Sequence, residues 1–159
     1  MERRSFLLGL AGAVVALPAA AQPTSEVDFR TADLAGGEYA MRTSRLALTR
    51  TANPDVINFA NAEIAEQVQV ATALGAVPGT GLLRADRAAA LARLEALPYG
   101  PGFDAMYVRG QIEGHQDLLA LNRSYLMTGD DPRQQSVASM SLPIIERHLA
   151  ILNGLRNIG

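Results

Sequence analysis

Cysteine is absent from this chain, which excludes disulfides, thiolate metal sites, a cysteine nucleophile and a lipidated N-terminal cysteine. Lysine and tryptophan are absent as well. All fourteen basic residues are arginine, the pattern expected of a GC-rich coding sequence. They are interspersed with the acidic residues, and no basic patch emerges, so no nucleic-acid partner is expected. Familiar catalytic signatures are missing too: there is no G-x-S-x-G, P-loop, G-x-G-x-x-G or H-E-x-x-H. Ser124, Ser136 and Ser141 have no spacing to a histidine that singles out a triad, and Tyr99, Tyr107 and Tyr125 read as helix-packing residues. No catalytic residue is assigned. No segment alternates like a strand.

The 159 residues suffice for one domain of ordinary size, and alanine and leucine dominate its apolar content. That mix suits helices packed closely through small side chains. Residues 1–21 have the form of a cleavable export signal. Arg3 and Arg4 form a charged start, Phe6 to Leu17 a short apolar run, and Ala19-Ala20-Ala21 an A-x-A cleavage site. The run is too short for a comfortable membrane span. Arg3-Arg4-Ser5-Phe6-Leu7 resembles a twin-arginine signal, with Glu2 where Ser or Thr is usual. The expected mature domain, 22–159, is mildly acidic and periplasmic or secreted, with no stable membrane span.

Helical spacing and punctuation then divide that domain. Glu26 to Thr51 reads as one helix with Gly36-Gly37 inside it. Each glycine costs roughly 1 kcal/mol relative to alanine, usually offset by close approach of another helix. Asn53-Pro54 is a cap and restart, and a helix from Pro54 to Leu74 ends at Gly75. Its stripe is expected to run through Ile57, Ala60, Ile64, Ala71 and Leu74, with Gln67 within it. A short connector helix follows at Asp86 to Leu97, then a long helix from Phe103 to Met127. Asp131-Pro132 caps the last helix, which reaches about Arg156 on a stripe of Val137, Met140, Ile144, His148, Ile151 and Leu155. Pro143 falls inside it and predicts a kink with a freed carbonyl near Ser139. The expected fold is all-α, a ferritin-like up-down-up-down four-helix bundle with the connector between helices two and three.

The chemistry rests on the two histidines. His115 stands among Val108, Ile112, Leu119 and Leu126, and His148 is on an equally apolar stripe. Segment lengths bring His115, His148, Gln67 and Glu38 to one level of the bundle. In the first of two readings these residues, with Tyr39 or the freed carbonyl, form a hydrogen-bonded polar core that fixes helix register. In the second, His115 and His148 hold a single transition metal. A di-iron centre of Glu-x-x-His type does not fit. Glu113-Gly-His115 and Glu146-Arg-His148 put each Glu roughly 200° around the helix from its own His, which leaves those carboxylates to solvent. Of Glu63 and Glu66, only one is expected to lean inward with Gln67.

A set of short motifs runs through the chain in order. They are Phe29, Ala35-Gly36-Gly37, Glu38, Leu46-Ala47, Asn53-Pro54, Val56 and Phe59-Ala60, then Phe103-Asp104-Ala105-Met106-Tyr107, His115-Gln116, Leu142-Pro143 and His148-Leu149. Together, over about residues 28–155, they resemble the domain of unknown function 4142 family of exported bacterial ferritin-like helical bundles. That resemblance implies an Asp-His pair late in the second helix, where this chain has Glu66-Gln67. Glutamine is a poor transition-metal ligand but can donate and accept in a polar core, so the departure favours the structural reading. The leading expectation is a non-catalytic exported binding or envelope-stress module without a cofactor. The alternative is a ferritin-like metal-binding or oxidoreductase protein using His115 and His148. A third expectation is an oligomer joined through alanine-rich faces.

Overall fold

The computed structural model describes residues 26–156, and the expected signal segment lies outside them. The described residues form five helices and no strands: α1 (Glu26–Arg50), α2 (Pro54–Ala73), α3 (Ala85–Glu95), α4 (Pro101–Thr128) and α5 (Pro132–Arg156). None of these helices is long and apolar enough to cross a membrane.

The boundaries follow local chemistry. The Asn53 side chain accepts from the Asp55 and Val56 amides, and Pro54 occupies the first turn, where a missing N–H costs nothing. Asp131 Oδ1 accepts from the Gln134 amide at 2.7 Å, with Pro132 again opening the helix. Gly75 ends α2 at φ 68°, a conformation costly for any residue with a Cβ. Pro143 stays within α5, and the carbonyl it frees belongs to the exposed Ser139, within reach of water.

The cross-helix pairings set the helix directions. Arg30 at the start of α1 bonds the carbonyl of Leu74 just after α2, so these two helices run antiparallel. On α1 and α4, Asp33 meets Asn122, Ala40 meets Gln111, and Ser44 meets Tyr107, again antiparallel. Gln135 reaches back to Gly129, and Arg123 pairs with Glu146, so α4 and α5 are antiparallel. One α2–α5 groove joins Asp55 and Phe59 to Ile151 and Leu155, while a cavity joins Glu66 and Val70 to Ser141 and Ile145, so these two also oppose.

It follows that α2 and α4 are parallel, and the expected up-down-up-down order is corrected to up-down-down-up. The reason is the connection over residues 74–100. It leaves α2 beside the start of α1 and reaches α4 beside Arg50, whose guanidinium bonds the Leu97 carbonyl. Carrying α3, it traverses the length of α1 instead of turning back tightly.

Small residues admit close packing where expected. A Cβ on Gly36 would meet Leu118 Cδ2 at 2.6 Å, and one on Gly37 would overlap Gln67 Oε1. Two apolar clusters result. One gathers Ala47, Val56, Phe59, Phe103, Tyr107, Ile112 and Leu152; the other gathers Phe29, Leu74, Leu118, Tyr125, Val137 and Ile145.

The predicted stripes hold at Ala60 and Ala71 in α2, at Leu74 just after it and at Val137 and His148 in α5, but their other members sit beside the buried line. In α2 the buried line is Val56, Phe59, Ala60, Glu63 and Ala71, with Ile57 and Ile64 only partly covered. In α5 it is Val137, Ala138, Ser141, Ile145, His148 and Leu152, while Met140 and Ile151 are exposed. The larger apolar side chains suggested the wrong face, because a charged Glu63 and a Ser141 occupy the buried one.

Candidate functional site

Between the two apolar clusters lies a polar layer built from α2, α4 and α5. Its centre is Glu63, with no exposed surface, flanked by His115 at 1% and His148 at 2% exposure. Glu63 Oε2 stands 3.1 Å from His115 Nε2 and 2.8 Å from His148 Nδ1, and the two ring nitrogens are 3.1 Å apart. One oxygen and two nitrogens thus form a nearly equilateral triangle. Among the described residues these three side chains are the group of His, Asp and Glu able to hold a metal ion.

Each member is held from outside. His115 Nδ1 lies 2.8 Å from the Gln111 carbonyl one turn earlier on α4. A carbonyl can only accept, so Nδ1 carries a proton, and in the neutral ring Nε2 presents a lone pair to the triangle. His148 Nε2 is 3.0 Å from Glu66 Oε2, a close polar contact on the far side of the ring. Glu66 is tied in turn to the exposed Arg147 through its other oxygen. The Gln67 amide donates to Glu63 Oε1 at 3.0 Å. Phe59 packs its ring 5.1 Å from His148 and 6.0 Å from His115.

The inward atoms are therefore a carboxylate oxygen and two imidazole nitrogens converging out of water, and a proton or a metal ion shared among them lowers the cost of burying the carboxylate. A proton is one solution. Burial pushes the Glu63 carboxyl up, but hydrogen bonds and charge from His115 and His148 outweigh it and hold Glu63 at about 2. Burial likewise opposes charge on His115, yet the Glu63 carboxylate and the Gln111 carbonyl outweigh it and raise the ring above its ordinary 6.5. A divalent metal is the other solution. Donors bound at about 2.1 Å on one face of an octahedron lie about 3.0 Å apart, the scale observed here.

Of the four sequence-predicted site residues, the fold brings His115 and His148 into direct contact and places Gln67 one bond away, on Glu63. Glu38 is corrected. It is buried, but it turns from the histidines to Arg42, at 2.6 Å, and to the connection at Gly81. The reason is that Glu38 faces the connection at Gly81, where Arg42 one turn on takes up its carboxylate, and α5, which carries His148, lies diagonally across from α1. The residue missed as a site member was Glu63. Its signal was its i, i+3, i+4 and i+7 relation to Phe59, Ala60, Val56 and Gln67, which places it on the buried line. Both Glu63 and Glu66 reach a histidine, where only one was expected to lean inward. Glu113 and Glu146 are exposed and paired with Arg87 and Arg123, as their spacing required.

A second buried polar pair borders a small cavity that Glu66 and Gln67 of this layer also line. Asp33 accepts from the Asn122 amide at 3.0 Å, and burial pushes its carboxyl up to about 6 against that hydrogen bond.

A family model described as Domain of unknown function (DUF4142) matches residues 14–155. No curated protein and no solved structure matches the chain.

Proposed function

The chain belongs to the domain of unknown function 4142 family, and on that premise we propose that it is an exported, periplasmic metal-binding protein with a ferritin-like four-helix bundle. Glu63, His115 and His148 are its ligands. The observation that carries the reading is the triangle of inward donors, each held from behind by an outer hydrogen bond or close polar contact. Metal-bound histidines have this second layer of partners, which sets the tautomer and orients the ring. Two imidazoles and one carboxylate suit a divalent first-row ion such as iron or manganese, and three protein donors leave coordination positions open.

The up-down-down-up order with a long crossover supports the ferritin-like assignment. The Arg3-Arg4 start and the A-x-A segment support export, and a twin-arginine route would carry the domain across already folded, with its ion in place. Gln67, which stands where the family resemblance implies a histidine, serves here as a donor to Glu63 and not as a ligand. The leading expectation from sequence, a polar core without metal, keeps the same contacts with a proton at the centre.

The deciding experiment is metal analysis of protein purified from its native compartment without added metal. The expected result is one first-row ion per chain in the wild type and its loss in both His115→Ala and Glu63→Gln. Metal-free wild-type protein that also fails to bind added Fe(II), Mn(II) or Co(II) would return the layer to a structural role.

A further inference from the structure

The metal reading leaves open how anything reaches the ion, because all three ligands are enclosed. A groove of about 410 Å³ between α2 and α5 supplies the path. It is lined by Asp55, Asn58, Phe59, Ala62, Arg147 and Ile151, and one of the proposed ligands, His148, forms part of its wall. Phe59 belongs to the same wall. It is 3% exposed, and its ring is packed against both imidazoles. The Phe59 ring thus stands where the groove meets the cluster. The groove's lining carries both signs: Arg147, whose side chain is 58% exposed and whose guanidinium pairs with Glu66, and the Asp55 carboxylate.

We propose that the α2–α5 groove is the path by which a small inorganic ligand of two or three atoms reaches the bound ion, with Phe59 as the barrier that controls its entry. The inference rests on the metal reading and adds to it a substrate-sized class of ligand and a gate residue. A species of two or three atoms asks for the smallest displacement of the Phe59 ring. A larger organic ligand would have to displace the packing of Phe59 against Tyr107 as well.

The test uses the full chain loaded with Co(II), whose visible bands report changes in coordination, and azide as the probe. Azide is expected to perturb the bands of the wild type. Phe59→Ala is expected to raise the association rate at least tenfold. Ala62→Trp, on an exposed groove position, is expected to slow it several-fold. The second substitution keeps the test decisive if Phe59→Ala does not fold. Stoichiometric Co(II) with no azide response, or with equal azide rates in the wild type and the folded variants, overturns the groove proposal and leaves the metal site intact. Failure to load Co(II), or loading that survives His115→Ala, overturns the metal reading and this proposal together.

Discussion

Glu63 Oε2 and His148 Nδ1 meet at 2.8 Å in the interior, joining α2 to α5 through two buried side chains. Removing one partner of such a contact strands the other. In metal-free protein, Glu63→Ala is expected to lower the unfolding free energy by about 3–5 kcal/mol, the range for breaking a buried charged pair. Urea denaturation in the presence of a chelator measures it. A loss below about 1 kcal/mol would show that the cluster contributes little without its ion.

Glu66 touches His148 from the side away from the triangle. Glu66→Gln keeps the shape but weakens the hold on the ring. Metal affinity is expected to fall about 10–100-fold with stoichiometry unchanged, as for other outer-layer partners. Competition against a chromophoric chelator gives the number.

The metal-free cluster also predicts a pH profile. Glu63 is held below its ordinary 4.5, at about 2, so its contribution is present above 4.5 and lost as pH falls toward 2. His115 is raised above 6.5, so its contribution is present below 6.5 and lost as pH rises past the raised value. The cluster's own contribution to stability without metal should therefore be greatest between about 4.5 and 6.5. Metal binding must displace the His115 proton, so affinity should instead rise with pH through that upper limit. Thermal melts with and without metal across pH 4–9 test both signs.

Asp33 carries the opposite linkage. Its carboxyl is pushed up from 3.8 to about 6, so the folded protein binds the extra proton and loses stability as pH rises through that window. About 2 units correspond to roughly 3 kcal/mol at neutral pH. Asp33→Asn removes that penalty. Its new amide can also donate to Asn122 Oδ1, a buried acceptor without a partner among the described residues. The variant is expected to be more stable than wild type at pH 7, by up to roughly 3 kcal/mol, and the advantage should vanish near pH 4.

Glycines divide by what surrounds them. A Cβ on Gly81 would collide with the Leu34 carbonyl oxygen and come within 2.9 Å of Glu38 Cβ, where the connection crosses α1. Gly81→Ala is expected to cost about 1–3 kcal/mol, because backbone must move. Gly154 lies within α5 with nothing near its missing Cβ, so Gly154→Ala is expected to stabilise by roughly 0.5–1 kcal/mol. Denaturation midpoints of the two variants should move in opposite directions.

Local signals were legible because they act over a few residues. Asn53-Pro54, Gly75 and Asp131-Pro132 punctuate the chain through caps and backbone conformations that need no distant partner. The helix boundaries followed to within a few residues. The burial of His115 and His148 was legible as well, since apolar neighbours at helical spacing surround each. Family membership was carried by short motifs in a fixed order, read without any coordinates.

Which face of α2 turns inward was harder. Ile57 and Ile64 are larger and more apolar than Glu63, and a periodicity argument weights them above a carboxylate. Burying Glu63 pays off only because two imidazoles from other helices meet it, and no window of sequence contains all three. The same limit explains Glu38, whose level along α1 was right but whose direction depended on which helix lies diagonally opposite.

The sequence by itself determined that the chain is helical, where its helices begin and end, and that two imidazoles are buried. Each of these is a short-range consequence of side-chain size, polarity and spacing. Tertiary structure alone decided that the crossover makes α2 and α4 parallel. It also decided that Glu63 replaces Glu38 as the histidines' carboxylate and that Phe59 stands between them and the α2–α5 groove. Those outcomes depend on long-range pairings, where the energy of one buried group is set by partners far away in the chain.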